Sequence, residues 1–358
     1  MQKIYSLTSL RFFLAVWVIC RHLSSALQYE LAWTKNGYLA VDVFFILSGF
    51  ILSYCYDDKI KTISDYFLYL IKRIARIYPA YFVTTAFFII YNVINAYINQ
   101  EPDKLMTSLT IKNLLMIQSW FGFNPSLNYP AWSISTEFLA YIVILPFCFF
   151  ILNKAKIFYK ILWLLLSIGA LCLYINHYHA TAGLSTHGFN VYTHMTFFRI
   201  LPAFILGNYI CHIYKKGIQI KYAHTFLLLT IILFFFVAES KAPLDILIYP
   251  LSFLLILSLL NITGIVYKFF STRSLVFLGE ASYCIYLAQA INIQIFSALI
   301  KMNVIIVSNK MFMLVMLLLT IILTGIGLYI YVEKPMRKKI LTIAENAAKP
   351  SAATLVHS

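Results

Sequence analysis

The sequence is poor in charged residues: they make up only 11% of its 358 positions, while 61% are hydrophobic. An average soluble domain is about a quarter charged and about half apolar. This shortage of charge excludes a soluble globular enzyme, a disordered chain and a fibrous protein. Since long apolar runs recur from one end of the sequence to the other, the chain is predicted to be a polytopic membrane protein.

Cysteine is also scarce, and no Pro-rich or Gly/Ser-rich linker divides the chain. The six cysteines lie singly in or beside apolar runs with no CxxC pair, which argues against a disulfide framework and favours buried thiols packed as small hydrophobes. No internal repeat is visible. We therefore predict one membrane domain at residues 1–340 and a short cytoplasmic tail at 341–358.

Ten apolar windows approach the length of about 20 residues that a helix needs to cross the hydrocarbon of a bilayer. They are 7–28, 38–56, 78–98, 131–152, 161–177, 194–214, 222–238, 244–262, 276–299 and 311–332. Their apolar runs are continuous rather than alternating, which predicts helices and not barrel strands. The predicted fold is an all-α transmembrane bundle of about ten spans.

The basic residues predict the orientation of these spans. With the N-terminus placed in the cytoplasm, 19 Lys and Arg residues fall in inner segments and 6 in outer segments. This asymmetry predicts that both termini are cytoplasmic. The formal net charge of +15 is thus explained mainly by membrane topology, and no nucleic-acid partner is expected.

Several ionisable residues lie inside the predicted spans, where charge is costly and usually functional. Arg11 and His22 are eleven residues apart, about 16 Å along one helix and close to one face. The predicted topology puts His22, Asp42, Glu137 and Arg199 at one depth near the outer face. A histidine facing carboxylates can act as a general base or a nucleophile. The alternative for each residue is a structural ion pair or an interfacial position.

The segment IKRIARIYPAY carries a cluster of cations on the cytoplasmic side. Arg73 and Arg76 are three residues apart and share a helical face, and Lys72 adds a third charge. Such a cluster suits phosphate groups, or it is only a positive-inside anchor. In the second predicted span, Ser48 and Gly49 lie near mid-membrane, where Gly49 admits either a ligand or a close helix contact.

Two outer loops and two polar residues complete the candidates. Loop 99–130 is apolar enough to lie at the interface or to line an entrance. The region 177–194 holds four histidines, His177, His179, His187 and His194, but no carboxylate or cysteine joins them, so no metal site is predicted. Glu280 and Gln289 on the ninth span are interpreted as polar contacts between helices.

A series of motifs in a fixed order resembles the acyltransferase-3 family of membrane proteins. The series is R-x10-H, then VDVFFILSGF, RIARIYP, WSISTEF, LGEASYCIYLAQA and VEKPMRK. It covers roughly residues 3–340, and VDVFFILSGF is its most specific part. The resemblance implies a membrane O-acyltransferase that takes acetyl-CoA, or another acyl-CoA, as cytoplasmic co-substrate. Some members of the family carry an additional SGNH hydrolase-like domain at the C-terminus, and we expect none in this chain.

The resemblance also implies roles for particular residues. Arg11 and His22 match the family's essential pair, and Glu137 matches the acidic residue that follows its WS motif. The SGF motif corresponds to Ser48, Gly49 and Phe50, and the RxxR motif corresponds to Arg73 and Arg76; all five are expected to bind the acyl-CoA donor. The chain departs from the family at two positions: Ala40 stands where many members have glycine, and Gln289 stands where many have histidine, which puts the role of that position in doubt.

Together these observations give a hypothesis for function. Arg73 and Arg76 hold the CoA phosphates at the inner face, and the pantetheine arm passes Ser48 and Arg11 to reach His22. There His22 deprotonates an acceptor hydroxyl or carries the acyl group briefly.

In this hypothesis Glu137 or Asp42 orients the imidazole and favours its charged form. The expected acceptor is a cell-surface glycan or lipid-linked glycan, such as lipopolysaccharide O-antigen or an exopolysaccharide, and the expected location is the bacterial inner membrane among its lipids. The alternatives are a secondary transporter with an intramembrane His/carboxylate relay and a lipid-modifying acyltransferase of the MBOAT type.

Overall fold

The computed structural model describes residues 4–100, 107–120, 126–182, 196–239, 245–305 and 309–348, and regular structure within these ranges is helical, with no strand. The helices are α1 (Tyr5–Ala26), α2 (Ala40–Tyr56), α3 (Ile63–Ile98), α4 (Thr107–Leu114), α5 (Trp132–Ile142), α6 (Ile144–Phe150), α7 (Ile157–Ala182), α8 (Phe197–Lys215), α9 (Ala223–Glu239), α10 (Ile248–Asn261), α11 (Gly264–Phe270), α12 (Arg273–Lys301), α13 (Lys310–Leu328) and α14 (Lys334–Ala348). A π-helical segment, Tyr329–Glu333, joins the last two. The predicted all-α membrane fold is confirmed.

Each of the ten predicted windows overlaps a helix. Within the described ranges, eight helices are long and apolar enough to cross a membrane, or nine if α10 and α11, which bend by 104° at their junction, form one span. Helix α9 is apolar but shorter than these. The locations of the spans were therefore predictable, and their number by this length criterion is slightly below the expected ten.

Helices α1 and α12 run parallel to each other through the bundle. Near their starts, Gly279 packs so closely on α1 that a Cβ atom there would lie 2.0 Å from the Thr8 carbonyl oxygen. Further along the same two helices, His22 meets Gln289. The glycine allows backbone contact between the helices, and this contact sets the register that brings the two polar side chains together.

Helices α2 and α8 form a second parallel pair. Gly49 lies against the backbone of Phe204, and Gly207 lies against the carbonyl oxygen of Ile46. Ion pairs close the interface at both ends: Asp42 with Arg199 at one end and Asp57 with Lys215 at the other. Small residues at the crossing and charges at its ends thus define this interface.

Both described ends of the chain lie at the same end of the bundle. Lys310 Nζ donates to the carbonyl oxygen of Gln28, so α13 starts where α1 finishes. Gly325 packs on Ile285, so α13 runs antiparallel to α12. We call the end that holds the start of α1 and the start of α14 the terminal end, and the opposite one the His22 end. This agrees with termini on one side of the membrane, and the cytoplasmic identity of that side stays a prediction.

The segment around α4 enters the bundle instead of lying over its surface. Tyr81 Oη donates to the carbonyl oxygen of Asn113, which lies in this segment, and to Oε1 of the fully buried Gln118. Asn128 Nδ2 donates to the carbonyl oxygen of Leu287 on α12. The described part of 99–130 therefore lies partly inside the bundle rather than only at the interface, and the alternative that it lines an entrance stays a prediction. Buried side chains satisfy the backbone groups that enter the bundle, as a segment at membrane depth requires.

Candidate functional site

The imidazole of His22 is half-buried near the C-terminal end of α1, and one hydrogen bond defines its orientation. Nδ1 is 2.8 Å from Oε1 of Gln289, which is fully buried on α12. The ring also makes an edge-to-face contact with Tyr129, with centroids 4.9 Å apart. The Gln289 amide nitrogen donates in turn to the carbonyl oxygen of Tyr286 at 2.9 Å. His22 is thus held between α12 and the turn that precedes α5.

The carboxylate of Asp42 is committed to an ion pair away from this histidine. Its Oδ1 accepts from Arg199 Nε at 2.8 Å, and its Oδ2 accepts from Arg199 Nη2 at 2.7 Å. The same Nη2 donates to the Tyr38 carbonyl oxygen, and the guanidinium lies over the ring of Trp132. The expectation that Asp42 orients His22 is therefore wrong. A bidentate arginine uses both carboxylate oxygens, and the pair connects α2 to α8.

The carboxylate of Glu137 lies deeper in the bundle than predicted. It accepts a hydrogen bond from Oγ of Ser48, which is six residues beyond Asp42 on α2, or about 9 Å along that helix. The reason is the path of the preceding chain: Asn128 is already buried against α12, so Glu137 lies two further turns toward the terminal end. The predicted common depth of His22 and Glu137 is wrong, and the hydrogen bond that orients His22 comes from Gln289 instead.

A cavity of about 50 Å³ lies between α1, α2, α5 and α12. Its polar lining consists of Arg11, Ser48, Ser133, Glu137, Tyr283 and Tyr286. It therefore brings together one cation and one carboxylate that sequence analysis had singled out. Tyr286 connects the cavity to the histidine, because its carbonyl oxygen accepts the hydrogen bond from Gln289.

The two arginines of α3 point into the bundle rather than forming an open phosphate cluster. Arg76 pairs with the fully buried Glu333 of the π-helical segment and donates to the carbonyl oxygen of Glu280 at 2.9 Å. Arg73 donates to the hydroxyl of Tyr141 at 3.0 Å, and its guanidinium carbon lies 4.9 Å from the centre of that ring. The face that these arginines share is the one that packs on α5 and α12, which corrects their expected place at the aqueous surface.

One buried donor nitrogen of Arg73 has no hydrogen-bond partner within the described ranges. Among the described residues, Arg73 Nε makes no hydrogen bond although it is shielded from solvent. An unpaired buried donor is costly. It is consistent with a polar ligand group that would reach this depth.

The SGF residues divide between two faces of α2. Ser48 lines the cavity. Gly49 contacts the Phe204 backbone, where a Cβ atom would lie 2.6 Å from the carbonyl oxygen, and Phe50 is fully buried against Tyr54 and Tyr214. The prediction that Gly49 and Phe50 contact the donor is corrected: they pack α2 on α8. Successive helical residues point about 100° apart, which is why neighbouring positions separate in this way.

Sequence reasoning interpreted Gln289 as a polar contact between helices, which is confirmed, but it did not pair Gln289 with His22 and it missed Tyr286, Tyr141 and Glu333. Gln289, Tyr286 and Tyr141 each bridge a predicted residue to a second helix, and Glu333 neutralises Arg76. A signal for the first two was available, since Tyr286 and Gln289 are three residues apart on one face of α12. Of the four histidines in the region 177–194, His187 and His194 lie outside the described residues, as do the side chains of His177 and His179.

Comparisons with known proteins identify the family of this chain. The sequence profile of the acyltransferase-3 family, an acyltransferase domain, matches residues 4–332. An acyltransferase named MdmB from Streptomyces mycarofaciens is 32% identical over 154 residues, which cover 39% of this chain and 38% of that protein. Protein 2 in the picA locus of Rhizobium radiobacter is 36% identical over 87 residues, or 24% of this chain and 44% of that protein.

The chain thus spans less than half the length of each of these two relatives. No solved structure matches it. The family match, in contrast, extends over nearly all of the helical bundle and includes the residues of both the cavity and the histidine site. The protein is therefore a multi-pass helical membrane protein that belongs to the acyltransferase-3 family.

Proposed function

We propose that the protein is an acetyl-CoA-dependent O-acyltransferase of the bacterial cytoplasmic membrane. The donor enters at the terminal end, and the acyl group is passed to a hydroxyl of a cell-surface glycan, such as lipopolysaccharide O-antigen or an exopolysaccharide, at the His22 end. The observation that carries this proposal is a series of polar side chains through the bundle, from the two arginines of α3 on the side of the terminal end to His22.

The series has four levels. It begins at Arg73 with Tyr141, continues one turn further along α3 at Arg76 with Glu333, reaches the cavity with Arg11, Ser48 and Glu137, and ends at Gln289 with His22. Arg76 contacts α12 at Glu280 and His22 contacts it at Gln289, nine residues or about 14 Å along the helix. A series of this kind supports a donor arm that enters from one side while only the acyl group is delivered to the other.

In this proposal Nε2 of His22 acts as the general base. The acceptor hydroxyl gives its proton to Nε2 while its oxygen forms a bond to the thioester carbonyl carbon. The carbon–sulfur bond then breaks, and the CoA thiolate takes the proton back from the imidazolium, which leaves an ester and free CoA thiol. Since Arg11 is about 16 Å away along α1, its proposed role is to bind the donor arm or to balance the charge of Glu137.

The dimensions of the cavity support a short acyl group. Its apolar wall is formed by Val41, Phe44, Phe45 and Ile134, and Phe45 is braced by an edge-to-face contact with Trp132. A space of about 50 Å³ is large enough for a group of a few heavy atoms. We therefore propose acetyl as the transferred group.

The test uses the full chain in sealed proteoliposomes with acetyl-CoA labelled in its acetyl group. Glycan acceptors are supplied on the face opposite to the donor, and both ester formation on the glycan and release of CoA thiol are measured. The expected result is label on the acceptor with an equal amount of thiol, and little transfer from a long-chain acyl-CoA. A secondary transporter would instead move label across the bilayer without releasing thiol, and that outcome would contradict the proposal.

A further inference from the structure

We propose that Gln289 is a positioning residue that holds His22 in the tautomer with hydrogen on Nδ1, so that Nε2 carries the free lone pair. This inference rests on the proposed function of His22 as the base, and it names the group that makes that function possible.

The orientation of the Gln289 amide follows from its second hydrogen bond. The amide nitrogen lies 2.9 Å from the carbonyl oxygen of Tyr286, and a carbonyl oxygen can only accept. The NH₂ group therefore faces Tyr286, and the amide oxygen faces His22. The reverse assignment would place two acceptors against each other at this distance, so the hydrogen-bond network distinguishes the two amide orientations.

The tautomer of His22 follows from the amide orientation. The Gln289 oxygen lies 2.8 Å from Nδ1, and an amide oxygen also only accepts, so Nδ1 must carry the hydrogen. In a neutral imidazole the other nitrogen then has the lone pair. Among the described residues no protein group bonds to Nε2, since the hydrogen bond of this ring is made through Nδ1. Nε2 is thus the nitrogen that is open to an acceptor hydroxyl.

The partner of His22 is neutral and immobile. Gln289 is fully buried, and its two hydrogen bonds restrict its rotation. It sits on α12, whose register against α1 is set by the close contact of Gly279 with Thr8. Tyr129 contacts the imidazole edge-on from a different part of the chain, so the plane of the ring is determined from two directions. The arrangement orients the base without placing a second charge in the membrane.

The kinetic test compares three variants of the full chain in proteoliposomes. Gln289→Met has a similar length but no acceptor, and we expect kcat to fall roughly tenfold to a hundredfold with KM for acetyl-CoA and for the glycan within about twofold. Gln289→Glu retains an acceptor for Nδ1 and should recover most of the lost kcat. The matched control is Asn292→Leu, one turn further along α12, where the amide bonds to Ala288 and Thr324 and not to His22; its kcat should be unchanged.

A spectroscopic test does not depend on turnover. In wild-type protein labelled with nitrogen-15 histidine, the His22 signals, assigned by their loss in His22→Gln, should be those of the Nδ1–H tautomer. If wild type shows the Nε2–H tautomer, the inference is overturned, whatever the variants do and even if Gln289→Met does not fold.

The outcomes separate this inference from the proposed function. Wild-type transfer that is lost in His22→Ala and retained in Gln289→Met would overturn the positioning role alone. Transfer that persists in His22→Ala would overturn the base itself, and with it the proposed mechanism.

Discussion

The two parallel helix pairs of the bundle place polar residues in the membrane in opposite ways. In the α2–α8 pair, Asp42 and Arg199 neutralise each other through two hydrogen bonds. In the α1–α12 pair, His22 binds the neutral amide of Gln289 through one nitrogen and leaves the other without a protein partner in the described part of the chain. An ion pair whose groups are all satisfied connects two helices, whereas a half-buried base with one open nitrogen is available for chemistry. Depth alone does not distinguish the two.

The strongest test of this comparison is to remove the imidazole of His22. His22→Ala should reduce acyl transfer at least about a hundredfold, since a general base contributes that much or more, while purification and the thermal unfolding temperature in detergent stay close to wild type. The control is His224→Ala, an exposed histidine that contacts the Thr263 carbonyl at the terminal end. More than about a tenth of wild-type activity in His22→Ala would mean that the open nitrogen is not the base.

Changes to the Asp42–Arg199 ion pair should instead lower the stability of the protein. Asp42→Asn or Arg199→Gln each leaves one buried charge without its partner, and we expect a loss of roughly 3–5 kcal/mol of stability, seen as a lower unfolding temperature and lower yield. The double variant Asp42→Leu with Arg199→Leu should recover most of that stability and should transfer acyl groups. A well-folded Asp42→Asn protein without activity would show that Asp42 takes part in the reaction.

The two arginines of the RxxR motif on α3 allow a structural ion pair to be compared with a residue proposed to bind the donor. Arg76→Gln should destabilise the protein, because Glu333 is fully buried and would lose its guanidinium, and Arg76→Gln with Glu333→Gln should restore stability. Arg73→Gln should instead raise KM for acetyl-CoA about tenfold with little change in unfolding temperature. If both single variants change only KM, the pairing of Arg76 with Glu333 is not structural.

The smallest effect is expected at the glycine of the SGF motif. Gly49→Ala places a methyl group 2.6 Å from the Phe204 carbonyl oxygen, so α2 and α8 must separate, at a cost of about 1–3 kcal/mol. Gly169→Ala on α7 meets no atom within 4 Å and serves as the matched control in thermal unfolding. If Gly49→Ala unfolds like wild type but has a raised KM for acetyl-CoA, Gly49 contacts the donor as the family resemblance implies.

The expectations that held are those that depend on local sequence. Every predicted apolar window coincides with a helix, because a membrane span needs a continuous apolar run that can be recognised without knowing its neighbours. The family motifs were also recognisable as a series, and the family was confirmed. Arg11, Ser48 and Glu137, which were selected from three different motifs, line one cavity.

The expectations that failed concern partners that are distant in the chain. Asp42 and Arg199 are separated by 157 positions, and His22 and Gln289 by 267. The estimate of depth for Glu137 assumed that its span begins at the membrane surface, whereas the chain before it already enters the bundle at Asn128. Neither the distant pairings nor this path follows from hydrophobic periodicity.

By itself, the sequence determined that the chain is a helical membrane protein, where its spans lie and to which family it belongs, because these depend on composition and on short ordered motifs. Only the tertiary structure decided which charges are neutralised and which nitrogen is open. That choice depends on helix register, which is set by backbone contacts at Gly279, Gly49 and Gly207. A shift of one residue along a helix turns each side chain by about 100°, so pairing is settled only when the helices have packed.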